Sequence, residues 1–155
     1  MPAELSLRNL VKLSKRTEYG LRAVVHLARL WPNNFVQSKD LSSQEDLPNK
    51  FLESILLALR RGGFLESKVG SGGGYRLSRS PRQISVGDVV RRLEGRLSLK
   101  ESQGAGEGST GKVAVRLLNQ RLTAATDEVL DTVTLDQLME DATKAGSSQQ
   151  SMYYI

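Results

Sequence analysis

The chain contains no cysteine, a single histidine and few aromatic residues among its 155 positions. Without thiols it cannot form disulfides or offer thiolate ligands to zinc or to an iron–sulfur centre. The histidine, His26, has no second imidazole with which to share a metal. We therefore predict no metal site and no cofactor, and we interpret His26 as a surface or interface residue.

Long apolar runs are also absent. No stretch approaches the roughly 18 apolar residues that a membrane-spanning helix needs, and no signal-peptide pattern opens the sequence. A charged fraction of 25% and a hydrophobic fraction of 39% are typical of soluble globular proteins. The sequence thus predicts a cytoplasmic protein of bacterial type, with one domain or a small domain plus a dimerisation arm.

Positive charge is concentrated in the first half of the chain. Residues 1–82 contain 14 Lys and Arg against 7 Asp and Glu, a net charge of +7, whereas residues 83–155 contain 8 against 10, a net charge of −2. Basic segments attract phosphate groups. The asymmetry favours a phosphate-facing N-terminal domain joined to a neutral or acidic assembly module.

Residues 38–77 have the pattern of two short helices followed by a hairpin. A polar segment from Ser38 precedes a helix that Pro48 opens and that Gly62 and Gly63 end, as the preferences of Pro and Gly for helix starts and stops predict. Two short apolar runs around a Gly/Ser tip then predict a β-hairpin. This order predicts a winged helix-turn-helix, mainly α with a small hairpin wing, a fold that most often binds duplex DNA.

The second of these helices is predicted to have one apolar and one polar face. Helical spacing places five apolar residues on one face, which we expect to be buried: Phe51, Leu52, Ile55, Leu56 and Leu59. Asn49, Lys50 and Glu53 fall on the opposite face. Asn and Lys match the groove edges of adenine and guanine, and a carboxylate accepts a hydrogen bond from cytosine N4. These three residues are candidate base readers, and an ordinary solvated helix face is the alternative.

The tip of the hairpin is rich in glycine, with the sequence Val-Gly-Ser-Gly-Gly-Gly-Tyr over residues 69–75. Consecutive glycines cost conformational entropy, so a folded domain keeps them where the backbone turns tightly or approaches another group closely. They also leave amide groups free to reach phosphates or the minor groove. An ordinary flexible hairpin loop is the alternative.

Two further helices are predicted to flank this unit. The first has Ser14 or Thr17 as its N-cap, a natural phosphate site at its N-terminus, and an apolar stripe of Gly20, Ala23, Val24, Leu27, Ala28 and Trp31. The second, over residues 84–94, packs Val86, Val89, Val90 and Leu93 inward. Its outer arginines, Arg91, Arg92 and Arg96, either contact phosphates or are solvated.

A long helix over residues 112–130 is predicted to pair with a second copy of the chain. Its apolar residues recur at helical spacing: Val113, Leu117, Leu118, Leu122, Ala125 and Val129. Thr134 is expected to cap a short last helix. The predicted organisation is a DNA-binding domain over residues 1–95, a flexible Gly-rich loop over 96–111, a dimerisation helix with the short helix over 112–145, and a flexible tail over 146–155.

Four motifs, in order, resemble the Rrf2 family of bacterial transcription regulators. They are Arg-Thr-Glu-Tyr-Gly-Leu-Arg-Ala at residues 16–23, Phe-Leu-Glu-Ser-Ile-Leu at 51–56, Gly-Ser-Gly-Gly-Gly-Tyr-Arg-Leu at 70–77 and Ile-Ser-Val-Gly-Asp-Val-Val at 84–90. The likeness covers about residues 13–139. It implies a homodimeric repressor that binds palindromic promoter DNA through a recognition helix and a wing.

The resemblance also implies a role for individual residues. The implied contacts are Asn49, Lys50 and Glu53 in the major groove, Ser71 and Gly72 in the minor groove, and Thr17, Tyr19 and Lys39 on phosphates, with Lys15 and Ser38 beside them. Several relatives have an arginine just before the first wing glycine, where this chain has Val69. Minor-groove insertion is therefore expected to be weaker or to pass to Lys68.

In relatives, the loop that follows the fourth motif carries three cysteines that bind an iron–sulfur cluster. Residues 101–112 offer only oxygen atoms, from Glu101, Ser102 and Glu107, and these are poor ligands for such a cluster. The resemblance thus implies a regulator without a cluster. Relatives of this kind respond to a partner enzyme, so a regulatory protein or a small-molecule effector is the alternative source of the signal.

The same loop matches part of a nucleotide-binding P-loop, from Gly106 to Lys112. The next residue is Val113 instead of the Ser or Thr that would bind magnesium, and no convincing buried strand precedes the loop. We therefore predict no enzyme. Nucleotide binding at residues 106–112 is the least favoured alternative.

Overall fold

The computed structural model describes residues 12–94 and 108–153, with side chains described as far as residue 147. The elements, in chain order, are α1 (Lys15–Arg29), α2 (Ser38–Glu45), α3 (Asn49–Arg61), β1 (Leu65–Lys68), β2 (Gly74–Leu77), a 3-10 turn (Pro81–Gln83), α4 (Val86–Glu94), α5 (Thr110–Thr132) and α6 (Leu135–Tyr153). The fold is mainly helical with one two-stranded hairpin, as predicted. Within the described ranges, no helix is both long and apolar enough to cross a membrane.

Helix α1 runs through the centre of the N-terminal unit. Of its two candidate N-caps, Ser14 takes the role, because its hydroxyl accepts a hydrogen bond from the Thr17 amide at 3.2 Å. The predicted stripe is buried from Gly20 to Ala28. A Cβ on Gly20 would lie 2.2 Å from a Leu93 methyl, so glycine at this position lets α4 pack directly on α1.

Helices α2 and α3 form the predicted helix-turn-helix. Asp46 ends α2 in the left-handed conformation, with φ of 53°, and Leu47 is buried in the turn that follows. The inner face of α3 then buries four of the five predicted residues, Leu52, Ile55, Leu56 and Leu59.

The prediction that Phe51 is buried is wrong. Its side chain is 66% exposed, whereas that of Leu52 is 1% exposed. Successive residues of an α-helix are rotated by about 100°, and Phe51 lies on the flank of the stripe where no other element covers it. Three- and four-residue spacing alone does not define how wide the covered stripe is.

Strands β1 and β2 form the antiparallel wing, with Leu65 opposite Leu77 and Lys68 opposite Gly74. Val36, which precedes α2, pairs with Tyr75 through two backbone hydrogen bonds of 2.9 and 2.8 Å. Strand β2 is therefore anchored, close to the tip of the wing, to the segment that precedes α2. Leu65 and Leu77 are buried in the common core.

Helix α4 connects this unit to α5. Val86, Val89, Val90 and Leu93 are buried as predicted. Gly87 lies against α5, because a Cβ there would be 2.8 Å from the Leu130 carbonyl oxygen.

Of the three arginines predicted to lie on the outer side of this segment, Arg91 and Arg92 make contacts within the chain. Arg91 pairs with Asp131 at 2.7 Å and with Asp127 at 3.5 Å on α5, and Arg92 donates to the Ala58 carbonyl of α3 at 2.8 Å. Both side chains join helices within the chain. Arg96 lies outside the described residues.

The C-terminal helix is longer than expected. Thr134 caps it as predicted, accepting from the Gln137 amide at 3.1 Å, but α6 continues to Tyr153. Residues 146–153, which were predicted to belong to a flexible tail, are helical in the structure. No proline interrupts this segment, and a single glycine inside a helix costs only about 1 kcal/mol.

Candidate nucleic-acid interface

The outer face of α3 is open to solvent. Asn49, Lys50 and Glu53, the three predicted base readers, are all exposed and lie in the first two turns of the helix. In helix-turn-helix proteins, the N-terminal residues of the second helix contact base edges. The arrangement offers an amide, an ammonium and a carboxylate close together, which can match the edges of adenine, guanine and cytosine in the major groove.

Side-chain contacts hold the end of α2 against α1. His26 Nδ1 lies 2.8 Å from Glu45 Oε1, and Arg22 donates to the Glu45 carbonyl oxygen. The His26 side chain is only 13% exposed. His26 is therefore an internal contact between two helices, and it is not a surface residue.

Arg16, at the N-terminus of α1 where the sequence predicts a phosphate site, also lies beside α3. The Arg16 guanidinium donates to Ser54 Oγ at 3.3 Å, which holds this exposed cation against the outer face of α3. The sequence motif around residues 16–23 contained Arg16. Its proximity to α3 requires the tertiary packing of α1, which the sequence pattern does not give.

The N-terminus of α1 is tied to the end of α4. Ser14 donates to the Glu94 carboxylate from its amide at 3.1 Å and from its hydroxyl at 2.7 Å. Hydrogen bonds from Thr17 and Ser14 lower the pKa of Glu94 below its ordinary value. This carboxylate occupies the helix end at which a phosphate was predicted.

Burial changes the predicted phosphate contacts of this region. Thr17 has no exposed surface, so its side chain cannot reach a phosphate, contrary to the predicted contact. Lys15 is exposed and pairs with Glu18 at 3.3 Å, while Tyr19 is half-buried against the core. On α2, Lys39 is exposed and Ser38 is half-buried.

The wing tip presents an exposed, glycine-rich turn. Lys68, Ser71 and Gly72 are exposed, and Val69 is 96% exposed. Gly72 adopts a φ of 74° with open space around it. A Cβ there would meet no other atom, so nothing within the chain blocks access to the backbone at this position.

The next two positions, residues 73 and 74, have no room for a side chain. A Cβ on Gly73 would lie 2.2 Å from the Lys68 carbonyl oxygen, and one on Gly74 would lie 2.2 Å from that of Val36. Gly74 also has a φ of 130°. These two glycines let strands approach closely, and Gly72 is the one that faces outward.

Helix α5 exposes its apolar residues. None of its residues is buried, and five of its large apolar side chains are between 44% and 62% exposed: Val115, Leu117, Leu118, Leu122 and Val129. Val113 is half-buried and Ala125 is exposed. Val115 was absent from the predicted stripe, although it lies one turn before Leu118 and Asn119 on the same helix.

The P-loop-like segment lies partly outside the described residues. Where it is described, Ser109 caps α5 by accepting from the Lys112 amide at 3.3 Å, and the helix begins at Thr110. Among residues 12–94 and 108–153, no three His, Asp or Glu side chains lie close enough to hold a metal ion.

These features define a winged helix-turn-helix protein: a helix-turn-helix with an exposed polar second helix, followed by a hairpin wing packed on the same core. The family model described as "Iron-dependent Transcriptional regulator", Rrf2, matches residues 13–141. The chain therefore belongs to the Rrf2 family, and it is a DNA-binding bacterial transcriptional regulator of the helix-turn-helix type.

Individual relatives cover most of the chain. The transcriptional regulator CymR of Bacillus subtilis is 30% identical over 145 residues, which are 94% of this chain and all of CymR. IscR of Vibrio campbellii is 28% identical over 132 residues, 84% of this chain and 79% of IscR. These relatives are named as transcriptional regulators and not as enzymes.

Solved structures have the same fold. The structure of CymR, the global cysteine regulator of B. subtilis, superimposes with a TM-score of 0.73 at 31% identity, covering 84% of this chain and 98% of CymR. That of T. potens IscR gives a TM-score of 0.74 at 31% identity, covering 89% and 93%. The predicted fold and family are thus confirmed.

The family description names iron, but the donor set of this chain does not fit an iron–sulfur cluster. Such clusters are held mainly by cysteine thiolates, and the sequence has none. The chain therefore lacks the ligands through which a cluster is ordinarily held.

Proposed function

We propose that this regulator is a homodimeric repressor that binds a palindromic promoter site without an iron–sulfur cluster. The observation that carries the proposal is that one chain has two exposed surfaces of different character. An exposed polar face on α3 suits a major groove, and an exposed apolar face on α5 suits a second copy of α5.

The reading surface consists of α3, the wing tip and the basic residues beside them. In the proposed complex, Asn49, Lys50 and Glu53 read bases and Ser71 and Gly72 enter the minor groove next to Lys68. Lys39, Lys15, Ser38 and Tyr19 contact the phosphate backbone, and Arg16 joins them because it lies against the outer face of α3. Phosphate contacts fix the register on the duplex, while base contacts supply the specificity.

The dimer follows from the apolar stripe of α5. A monomer that leaves five Leu and Val side chains of one helix about half exposed gains free energy by covering them, roughly 25 cal/mol for each Å² removed from water. A twofold pair of α5 helices would place two copies of α3 one or two turns of DNA apart, ~34 Å per turn. We propose residues 1–95 as the DNA-binding domain and α5 with the start of α6 as the dimerisation module.

The full-length likeness to CymR supports a signal other than a cluster. CymR is named as a global cysteine regulator, and this chain matches its whole length. We propose that a regulatory protein or a small-molecule effector controls DNA binding here. After anaerobic iron–sulfur reconstitution the protein should remain colourless, and a brown, stoichiometric product would contradict this proposal.

The test is selection of DNA fragments from a random library by the purified protein. A palindromic consensus should be enriched, and the protein should sediment as a dimer both free and on DNA. Lys50→Ala should select a consensus with a relaxed preference at the base that Lys50 reads, whereas Gln120→Ala, at an exposed residue of α5, should select the wild-type consensus. No enriched sequence, or an enriched site without symmetry, would contradict the proposal.

A further inference from the structure

Phe51 is the one large aromatic side chain that α3 exposes. It lies in the first turn of the helix, next to Lys50, and two-thirds of its surface is in contact with solvent. Single exposed apolar residues are common and need no special explanation. Phe51 differs because of its position. It lies in the first turn of the second helix of the helix-turn-helix, and the N-terminal residues of that helix contact base edges in such proteins.

The exposed residues of α3 nearest to Phe51 in sequence are polar. Lys50 precedes it, Glu53 follows, and Ser54 lies one turn further on, bonded to Arg16 at 3.3 Å. Hydrogen-bonding groups distinguish guanine, adenine and cytosine in the major groove. Thymine presents one acceptor oxygen and a methyl group, and only an apolar side chain recognises the methyl.

We propose that Phe51 contacts the C5-methyl group of a thymine and imposes a preference for thymine at one position of each half-site. The inference rests on the proposed function, because it requires α3 to enter the major groove. Phenylalanine suits this role since its ring has few rotatable bonds, so that little conformational freedom is lost on contact. Lys50, which precedes Phe51, and Arg16, which is bonded to Ser54 one turn further on, bring this part of α3 close to the negatively charged duplex.

The experiment uses the sequence selected by the wild-type protein and replaces each thymine, one at a time, by deoxyuridine. This change removes only the methyl group. Wild-type affinity should fall about fourfold at one thymine of each half-site, the effect of one buried methyl-sized group, and should not change elsewhere. Phe51→Ala should bind the thymine and uracil forms equally well, and Phe51→Leu should keep part of the discrimination.

Leu30→Ala is the matched control, because Leu30 is also an exposed large apolar residue but lies at the C-terminal end of α1. It should leave both affinity and the deoxyuridine profile unchanged. The melting temperature of Phe51→Ala should stay close to that of the wild type, since two-thirds of the side chain is exposed.

Three results would overturn the proposal. Wild-type protein could be insensitive to every deoxyuridine substitution, although it selects a palindrome; the proposed function would then stand without this contact. Phe51→Ala could weaken all sequences equally and keep the deoxyuridine profile, which would make the ring a backbone contact. A large loss of stability in Phe51→Ala would mean that the ring is part of the core.

Discussion

Helices α3 and α5 differ in which of their residues the rest of the chain covers. Helix α3 buries four apolar residues and exposes a polar face, whereas α5 buries none of its residues and exposes five large apolar ones. A helix that is covered on its apolar side is positioned by its own domain and is free to meet a polar ligand. A helix with its apolar side open needs a second apolar surface to cover it.

The two helices are connected through α4. Leu93 of α4 packs against Gly20 of α1. Towards α5, Arg91 of α4 pairs with Asp127 and Asp131, and Gly87 of α4 lies against the α5 backbone. Because these helix contacts are close-packed, the orientation of α5 relative to the N-terminal unit has little freedom to change. The distance between two copies of α3 is therefore expected to depend on how two copies of α5 pair.

The largest expected effect comes from a charge placed in the apolar stripe of α5. Leu122→Asp puts a carboxylate where we propose that a second helix packs, so the protein should sediment as a monomer. Because one half-site then binds alone, affinity for the palindrome should fall about 100- to 10,000-fold. Gel-shift titration with whole and half sites measures this loss.

Gln120→Asp is the matched control, since it adds the same charge to the same helix at an exposed residue outside the stripe. It should leave both the dimer and the affinity intact. If Leu122→Asp remained a dimer, the stripe would not be the interface, and the contrast between α3 and α5 would lose its functional meaning.

The next effect concerns the wing and depends on close backbone approach. Gly74→Ala would place a Cβ 2.2 Å from the Val36 carbonyl at a φ of 130°, so clash and strain together should lower the free energy of unfolding by about 3 kcal/mol. Gly72→Ala meets no atom and carries only the strain of its positive φ, about 1 kcal/mol. Urea denaturation of the two variants separates these contributions.

The two variants should also differ in DNA binding. Gly74→Ala should displace β2 from Val36, whereas Gly72→Ala changes only the tip at which we propose minor-groove contact. If the two substitutions cost the same stability, the pairing of Val36 with Tyr75 would not be a fixed part of the fold.

The α3 face itself can be tested by comparing a base reader with a phosphate contact. Lys50→Ala should cost about 1–3 kcal/mol at the matching base and relax the preference there. Lys39→Ala should weaken all sequences alike and reduce the dependence of log affinity on log salt concentration by about 1. Titrations against the consensus and single-base variants at several salt concentrations measure both effects, and identical profiles would contradict the assignment.

The sequence predicted those features that depend on local pattern. The order of elements, the Ser14 and Thr134 caps and the inner faces of α1 and α4 agree with the structure. Periodicity and capping residues are properties of a few neighbouring positions, so they can be recognised from the sequence alone.

What the sequence did not predict depends on which surfaces meet. Thr17 is buried by α4, and Arg91 is drawn to two aspartates 36 and 40 residues further along. Phe51 has the spacing of a core residue but lies beyond the edge of the covered stripe. Each of these outcomes requires knowing the neighbour in space, which spacing along the chain does not supply.

The smallest expected effect is a pH dependence of the contact between α1 and α4. The pKa of Glu94 is lowered in the folded protein, so its charged form stabilises the fold. This stabilisation is fully present above the ordinary pKa of a glutamate, about 4.3, and is lost as the pH falls through the lower pKa of the folded state. Glu94→Gln should therefore be less stable than the wild type at neutral pH, and the difference should shrink below about pH 4.

Thermal unfolding between neutral and acidic pH measures this difference. Ser14→Ala removes the hydroxyl that bonds Glu94 at 2.7 Å and caps α1, so it should lower stability at every pH and also flatten the acidic decline. A difference between Glu94→Gln and wild type that stayed constant with pH would show that the carboxylate charge plays no part in the contact. The N-terminus of α1 would then be held by packing and by hydrogen bonds of Ser14 that do not depend on this charge.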